Sequence, residues 1–361
     1  MPLYAVYALL FADTGLSDAK ISVLFMLWST TAIVAEVPSG ALADRFSRRA
    51  ALIASSLFQA VGFGLWIVLP GFVSFAAGFI LWGFGGALVT GAYEALLYEG
   101  LVERSAEQHY ARINGWVNSL ALLCQIPAAG AAALLLSVGG YELVGWVSIG
   151  ICLAASLLAT RLPEPARIKG EDGGGPSYFE VLRAGIREAT TSPVVRAAVV
   201  AAALIGGLDG LEEYFPLMAR DWGVPTAVIP LAVIGLPLAG AAGSAWSGRG
   251  DRLGAGALSS VMFGALALLG AMALIALPAG LLGVAAFYCL HQMVLVVVGA
   301  RVQDRIEGPS RATVTSVASL GTEIVAIALF AAWAVQGLLL VVGIWLLVAL
   351  ALPVWLKERG V

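Results

Sequence analysis

Apolar stretches of roughly 20 residues recur along this chain between short polar breaks. Each is long enough to cross a hydrocarbon core of about 30 Å as a helix. The pattern predicts spans near 20–42, 50–69, 72–98, 113–138, 141–160, 194–217, 225–247, 256–277, 280–301, 312–334 and 337–356, eleven in all. A twelfth, partial span precedes Asp13. Residues 1–12 reach only about 18 Å as a helix. The first helix is therefore either half-length or continued upstream of Met1, and the second reading is favoured. No basic stretch precedes it, so a cleaved signal peptide is not expected. The fold class is all-α and integral to a membrane.

The basic residues orient these spans. If the loop holding Arg45, Arg48 and Arg49 is cytoplasmic, alternate loops on that side collect 18 of the 20 Lys and Arg residues. Only Lys20 and Arg220 fall outside. This is the positive-inside asymmetry. It puts the central loop and the C-terminus in the cytoplasm, and a bacterial inner membrane is the expected location. The longest loop divides the chain into an N-terminal bundle (1–161), a linker (162–193) and a C-terminal bundle (194–361). Within the linker, Gly173, Gly174, Gly175 and Pro176 make a break. Ser177 and Glu180 have capping-box spacing ahead of a surface amphipathic helix running to about Thr190.

Composition narrows the function. Hydrophobic residues make up 60% of the chain and charged residues 12%, against roughly 25% charged in a soluble domain. A net charge of -3 argues against nucleic acid as a partner. Cys124, Cys152 and Cys289 all fall in apolar runs and read as small core residues without a disulfide framework. Trp66, Trp222 and Trp355 fall where interfacial belt residues do. No nucleophile motif, metal-ligand spacing or phosphate loop is present, and the only histidines are His109 and His291. No cofactor is implied, and an enzyme is not expected.

Polar groups inside the spans carry the candidate chemistry, because a charge at the bilayer centre costs about 3 kcal/mol or more. Glu323 falls near the middle of the eleventh span, with Ser316 and Ser319 on its helical face. His291 falls near the middle of the tenth, beside Tyr288 and Gln292. A His291–Glu323 pair at one depth can share a proton. Asp209, Glu212 and Glu213 stand at i, i+3 and i+4 of the seventh span, in its outer half, so one helical face would hold three acids. Such a face favours cations or holds protons. Glu36 lies in the second span. Asn114, Asn118 and Gln125 form a stripe on the fifth. Each also has a structural reading: helix packing for the amides, hydrogen bonding for His291, an interfacial position for Glu213 and bracing of the adjacent loop for Glu36.

An internal repeat accompanies these features. The loop after the second span carries Gly40, Asp44, Arg45, Ser47, Arg48 and Arg49; the loop after the eighth carries Asp251, Arg252 and Gly254. The two Asp-Arg pairs occupy matching places in the two halves, as in a duplicated transporter. The first loop resembles the Gly-x-x-x-Asp-Arg-x-Gly-Arg signature of the major facilitator superfamily, with Ser47 in place of the second Gly. Glu36, Pro38 and Gly40 before it, Gly91, Glu94 and Glu99 in the fourth span, and Arg311 to Ser316 at the start of the eleventh also resemble that family. Two drug-antiporter signatures are poorly matched. The fourth span lacks an Arg, and the fifth keeps only Pro127 and Gly130 of a Gly-Pro-x-x-Gly-Gly stretch.

The resemblance implies two pseudo-symmetric six-helix bundles around a central cavity. It also implies a conformational latch of Gly40, Asp44, Arg45, Arg48, Glu99, Asp251 and Arg252. Asp44 would face the start of the eleventh helix near Arg311, and Arg48 would pair with Glu99. Glu36, Gln125, Asp209, Glu212, His291 and Glu323 are the candidate proton and substrate residues. The expected function is secondary transport of a small cationic or neutral apolar solute by alternating access, with proton-coupled efflux ahead of proton-coupled uptake. A membrane-embedded enzyme, a channel and a non-transporting membrane protein are the alternatives. The expected partners are a small-molecule substrate, protons and the lipid bilayer, with the protein a monomer.

Overall fold

In a computed structural model of the chain, residues 1–45, 47–163, 193–250, 252–305 and 311–356 are described. For 36–45, 302–305 and 311–316 that description covers the backbone path alone. The linker's Gly-Gly-Gly-Pro break and its amphipathic helix lie outside the described residues. The chain divides into two compact units, Met1–Gly175 and Pro176–Val361. All regular structure among the described residues is helical.

The first unit opens with a 3₁₀ turn, Pro2–Ala5, followed by α1, Tyr7–Asp13. Then come α2 (Asp18–Arg45), α3 (Arg48–Val68), α4 (Phe72–Val102), α5 (Tyr110–Leu123) and α6 (Gln125–Ala159). The backbone leaves the helix at Gly139 and Gly140, where Gly140 takes φ +62°. That kink divides α6 between the fifth and sixth spans. Ser47, which stands where the family signature has Gly, has an extended backbone, and its side chain accepts a hydrogen bond from the Ala50 amide. The substitution thus supplies an N-cap for α3.

The second unit begins with α7 (Pro193–Gly206), a 3₁₀ segment (Gly207–Tyr214) and α8 (Phe215–Asp221). After these come α9 (Ile229–Ala245), α10 (Ala255–Ile275), α11 (Gly280–Arg305) and α12 (Arg311–Trp355). α12 breaks at Gln336 and Gly337 with φ of -142° and +65°. The corresponding angles at Gly139 and Gly140 are -143° and +62°. The two units therefore turn between their last two spans by the same local geometry. Their lead spans also match, since each has a 3₁₀ piece and then a seven-residue helix.

Among the described residues, eight helical stretches are long and apolar enough to cross a membrane. Two of them, Glu107–Ala159 and Val317–Trp355, contain the glycine breaks and so hold two predicted spans each. Large apolar side chains such as Val73, Leu282 and Val354 are at least 74% exposed. Hydrocarbon surroundings make that exposure favourable, whereas water would penalise it.

Aromatic packing holds the first unit together. Phe11, Phe25, Phe63, Trp66, Phe75 and Phe79 are buried, and the Trp66 indole N–H donates to the Phe75 carbonyl. Trp66 and Trp222 are therefore core residues, not belt residues: burial inside the protein outcompetes the interface for both rings. Gly78 makes room for Trp66, because a Cβ there would lie 2.0 Å from its indole nitrogen. The 3₁₀ turn and α1 are each tied to the sixth span. The Leu3 amide donates to Ser148, and the Tyr141 hydroxyl donates to Asp13. Of the cysteines, Cys152 is buried, Cys289 is intermediate and Cys124 is exposed rather than core.

Close helix approach governs the second unit. A Cβ on Gly243 would stand 1.8 Å from the Cys289 carbonyl oxygen, which is backbone and cannot swing away. Gly235, on the same helix, has open space at that position. Gly243→Ala is expected to destabilise the protein by about 1–3 kcal/mol, and Gly235→Ala to be close to neutral. Thermal unfolding of the two variants in detergent checks this contrast.

Candidate functional site

The seventh span is interrupted where glycines cluster. Gly206, Gly207 and Gly210 lie against Thr322, Val325 and Phe330 of α12 so closely that a Cβ on any of them would crowd its neighbour. α7 stops at Gly206, which leaves its last carbonyls without intrahelical partners. Side chains from two neighbouring helices supply them. The Trp345 indole N–H donates to the Leu204 carbonyl at 2.8 Å, and His291 Nε2 lies 2.9 Å from the Ile205 carbonyl. The chain then continues as the 3₁₀ segment that carries the acids.

That change of helix type corrects the expected three-acid face. With three residues per turn, i and i+3 eclipse while i+4 is turned away by about 120°. Asp209 and Glu212 therefore project together, and Glu213 is buried apart from them. Asp209 meets His291 roughly 17 Å along α11, whose 26 residues run about 39 Å.

The partners of the two acids are neutral. The Tyr288 hydroxyl lies 3.3 Å from Asp209 Oδ1 and 3.1 Å from Glu212 Oε2. Gln292 Nε2 donates to Asp209 Oδ1 at 2.6 Å. His291 is fully buried, stacks with both Phe287 and Tyr288, and places Nδ1 3.6 Å from Asp209 Oδ1. A carbonyl only accepts, so His291 Nε2 carries the N–H toward Ile205. In the neutral ring Nδ1 is then an acceptor, and it has no hydrogen-bond partner. Tyr288 and Gln292 pack on Gly240 of α9, where a Cβ would approach their side chains to about 3 Å.

Two of the predicted cavity residues, Asp209 and Glu212, are thus brought together, with His291 beside them. The contacts of His291 are with Ile205 and Asp209 rather than the anticipated Glu323. Glu323 is half-buried on α12. Gln125 is half-buried at the start of α6, and Asn114 accepts a hydrogen bond from Tyr93. The side chains of Glu36, Glu94 and Asn118 lie outside the described residues. Tyr288 and Gln292 are central to the site but were singled out only as neighbours of His291. The signal for them was their spacing, since 288, 291 and 292 share one helical face.

Arg48 and Glu99 form an ion pair between the start of α3 and the end of α4, at 14% and 6% exposure. The side chains of Asp44, Arg45 and Arg311 and the whole of Asp251 lie outside the described residues, and Gly40 is described by its backbone path; Arg252 is exposed. Removing one member of a buried pair leaves the other charge uncompensated. Glu99→Gln is expected to destabilise the protein by about 3 kcal/mol. Adding Arg48→Gln should recover most of that loss in a thermal unfolding series.

Comparison with known proteins places this architecture. A family model described as Major Facilitator Superfamily matches residues 1–328. The crystal structure of the nucleoside transporter NupG superposes with a TM-score of 0.75 at 13% identity, covering 99% of this chain and 95% of that one. The D-xylose-proton symporter gives 0.67 at 14% identity, covering 100% and 93%. A bacterial homolog of the human lysosomal transporter Spinster, inward-facing and unoccupied, gives 0.63 at 15%, covering 99% and 87%. No curated protein matches by sequence. At these identities the structures speak for the fold, and the family model speaks for membership. This chain belongs to the Major Facilitator Superfamily, and it is a multi-pass membrane transporter rather than an enzyme.

Proposed function

We propose that the protein is a proton-coupled exporter of a small cationic or neutral apolar solute, working as a monomer by alternating access in a bacterial inner membrane. The observation that carries this reading is the Asp209–Glu212 pair. Two acids project together from a broken span, and their partners among the described residues are Tyr288, Gln292 and His291. Acids held by neutral groups can give or take a proton without breaking an ion pair. They can also face a cationic solute. A site that holds either proton or cation, but not both, exchanges one for the other. A phosphate or carboxylate solute would instead call for Lys or Arg.

The charge distribution supports the orientation, with the central loop and C-terminus cytoplasmic. The latch reading assigns Arg48 and Glu99, with Gly40, Asp44, Arg45, Asp251 and Arg252, to stabilising one state of the transport cycle. A second reading, proton-coupled uptake, is favoured by one specific observation: a proton symporter is among the matched structures.

Everted membrane vesicles energised by respiration test the proposal. Lipophilic cations and neutral drugs are added in turn while proton movement is followed. Wild-type protein should release protons on addition of a transported compound. Asp209→Asn and Glu212→Gln should each cut the initial rate by about tenfold or more. Glu323→Gln in the same assay decides whether α12 contributes a second proton group. Release that is unchanged in both Asp209→Asn and Glu212→Gln would contradict the site assignment. Uptake of protons with solute, in place of release, would select the symport reading.

A further inference from the structure

The proton content of the acid pair follows from counting its donors. The Tyr288 oxygen lies within hydrogen-bond range of both Asp209 Oδ1 and Glu212 Oε2. A phenol has one proton, and an ionised carboxylate only accepts. If both acids were ionised, one of the two contacts would set lone pair against lone pair. Inside a membrane span that conflict is poorly screened. One additional proton removes it. An acid donates to the Tyr288 oxygen, and the Tyr288 hydroxyl donates to the other carboxylate.

The remaining donor decides which acid is which. Gln292 Nε2 donates to the same Asp209 oxygen that Tyr288 approaches. Two donors converging on Oδ1 suit an anion, so Asp209 is the carboxylate and Glu212 the acid. His291 marks the Asp209 side of the pair as the one where a further proton would be accepted. It is fully buried, and its only unpartnered polar atom, Nδ1, is directed at Asp209 rather than Glu212. Besides these groups, the ionisable residues of the surrounding elements are Arg196 on α7, Glu213 and Tyr214 on the 3₁₀ segment, Arg220 and Asp221 on α8, Cys289, Arg301, Asp304 and Arg305 on α11, and Arg311 and Glu323 on α12; α9 has none.

We propose that Tyr288 is a proton bridge that keeps Asp209 and Glu212 as a one-proton pair and passes that proton between them. The proposal rests on the reading of this cluster as the coupling site. In the transfer the Glu212 O–H bond breaks as a new one forms on the Tyr288 oxygen. The original Tyr288 O–H bond breaks as one forms on Asp209 Oδ1. One proton has then moved from Glu212 to Asp209, one negative charge has moved the other way, and Tyr288 is unchanged. His291 Nδ1, next to Asp209, is the acceptor open to the proton once it arrives.

Infrared difference spectroscopy of the whole protein in liposomes tests this without any solute. In the pH range where the protein transports, Glu212→Gln should remove a protonated-carboxyl C=O band. Asp209→Asn should remove an ionised-carboxylate band. Tyr288→Phe, which deletes one oxygen and serves if either acid variant fails to fold, should shift the carboxyl band. His291→Gln retains a donor for the Ile205 carbonyl and should leave the carboxyl band in place. Loss of an ionised band in Glu212→Gln, or an unmoved carboxyl band in Tyr288→Phe, would overturn the proposal. The two readings separate cleanly. Solute-driven proton movement without the expected bands sinks the bridge alone. The expected bands without proton movement for any compound sink the exporter reading alone.

Discussion

Hydrocarbon offers no hydrogen bonds, so every backbone group freed within a span must find its partner inside the protein. The rest of this structure depends on that constraint. The seventh span shows it most fully. Its helix stops at Gly206, and the Leu204 and Ile205 carbonyls are taken up by Trp345 and His291 from two other helices. The same arrangement fixes the His291 ring, and the ring then lies beside Asp209. The interruption, the histidine and the acid pair are therefore one structural unit.

Glycine makes that unit sterically accessible. Gly206, Gly207 and Gly210 let the broken span lie against α12, and Gly240 and Gly243 let α9 lie against α11. Without a hydrophobic driving force between helices in lipid, close contact of this kind supplies the association. The two units repeat the design in part. Each lead span has a 3₁₀ piece before a seven-residue helix, and each final pair of spans turns through the same dihedral angles. The units differ in what their lead spans carry. The first unit's is packed in aromatic rings around Tyr7 and Phe11, and the second's holds the acids.

Most of the fold was legible in the sequence because a transmembrane helix is specified by length and apolarity alone, with little tertiary input. The predicted break at 139–140 falls on the observed Gly139–Gly140 kink, and the one at 335–336 lies one residue before the Gln336–Gly337 kink. The site was legible only in its residue types. Asp209, Glu212 and His291 stand out because ionisable groups in a span are costly. Their arrangement depended on whether residues 207–214 wind as α or 3₁₀, which is set by packing of Gly206, Gly207 and Gly210 on α12 and leaves no periodic signal. Hence Glu213 was grouped with its neighbours, and His291 was matched to Glu323. Trp66 departs from the belt position its place in the span predicts for a similar reason. Position along a span gives depth, whereas burial depends on which face meets the other helices.

The central claim is that the acid pair couples proton movement to solute movement through Tyr288. Purified Tyr288→Phe protein in liposomes tests it most directly, with solute counterflow and proton-driven solute accumulation measured on the same preparation. Counterflow requires no net proton transfer, so the account predicts that it continues while accumulation is lost. Accumulation at the wild-type level would contradict the account.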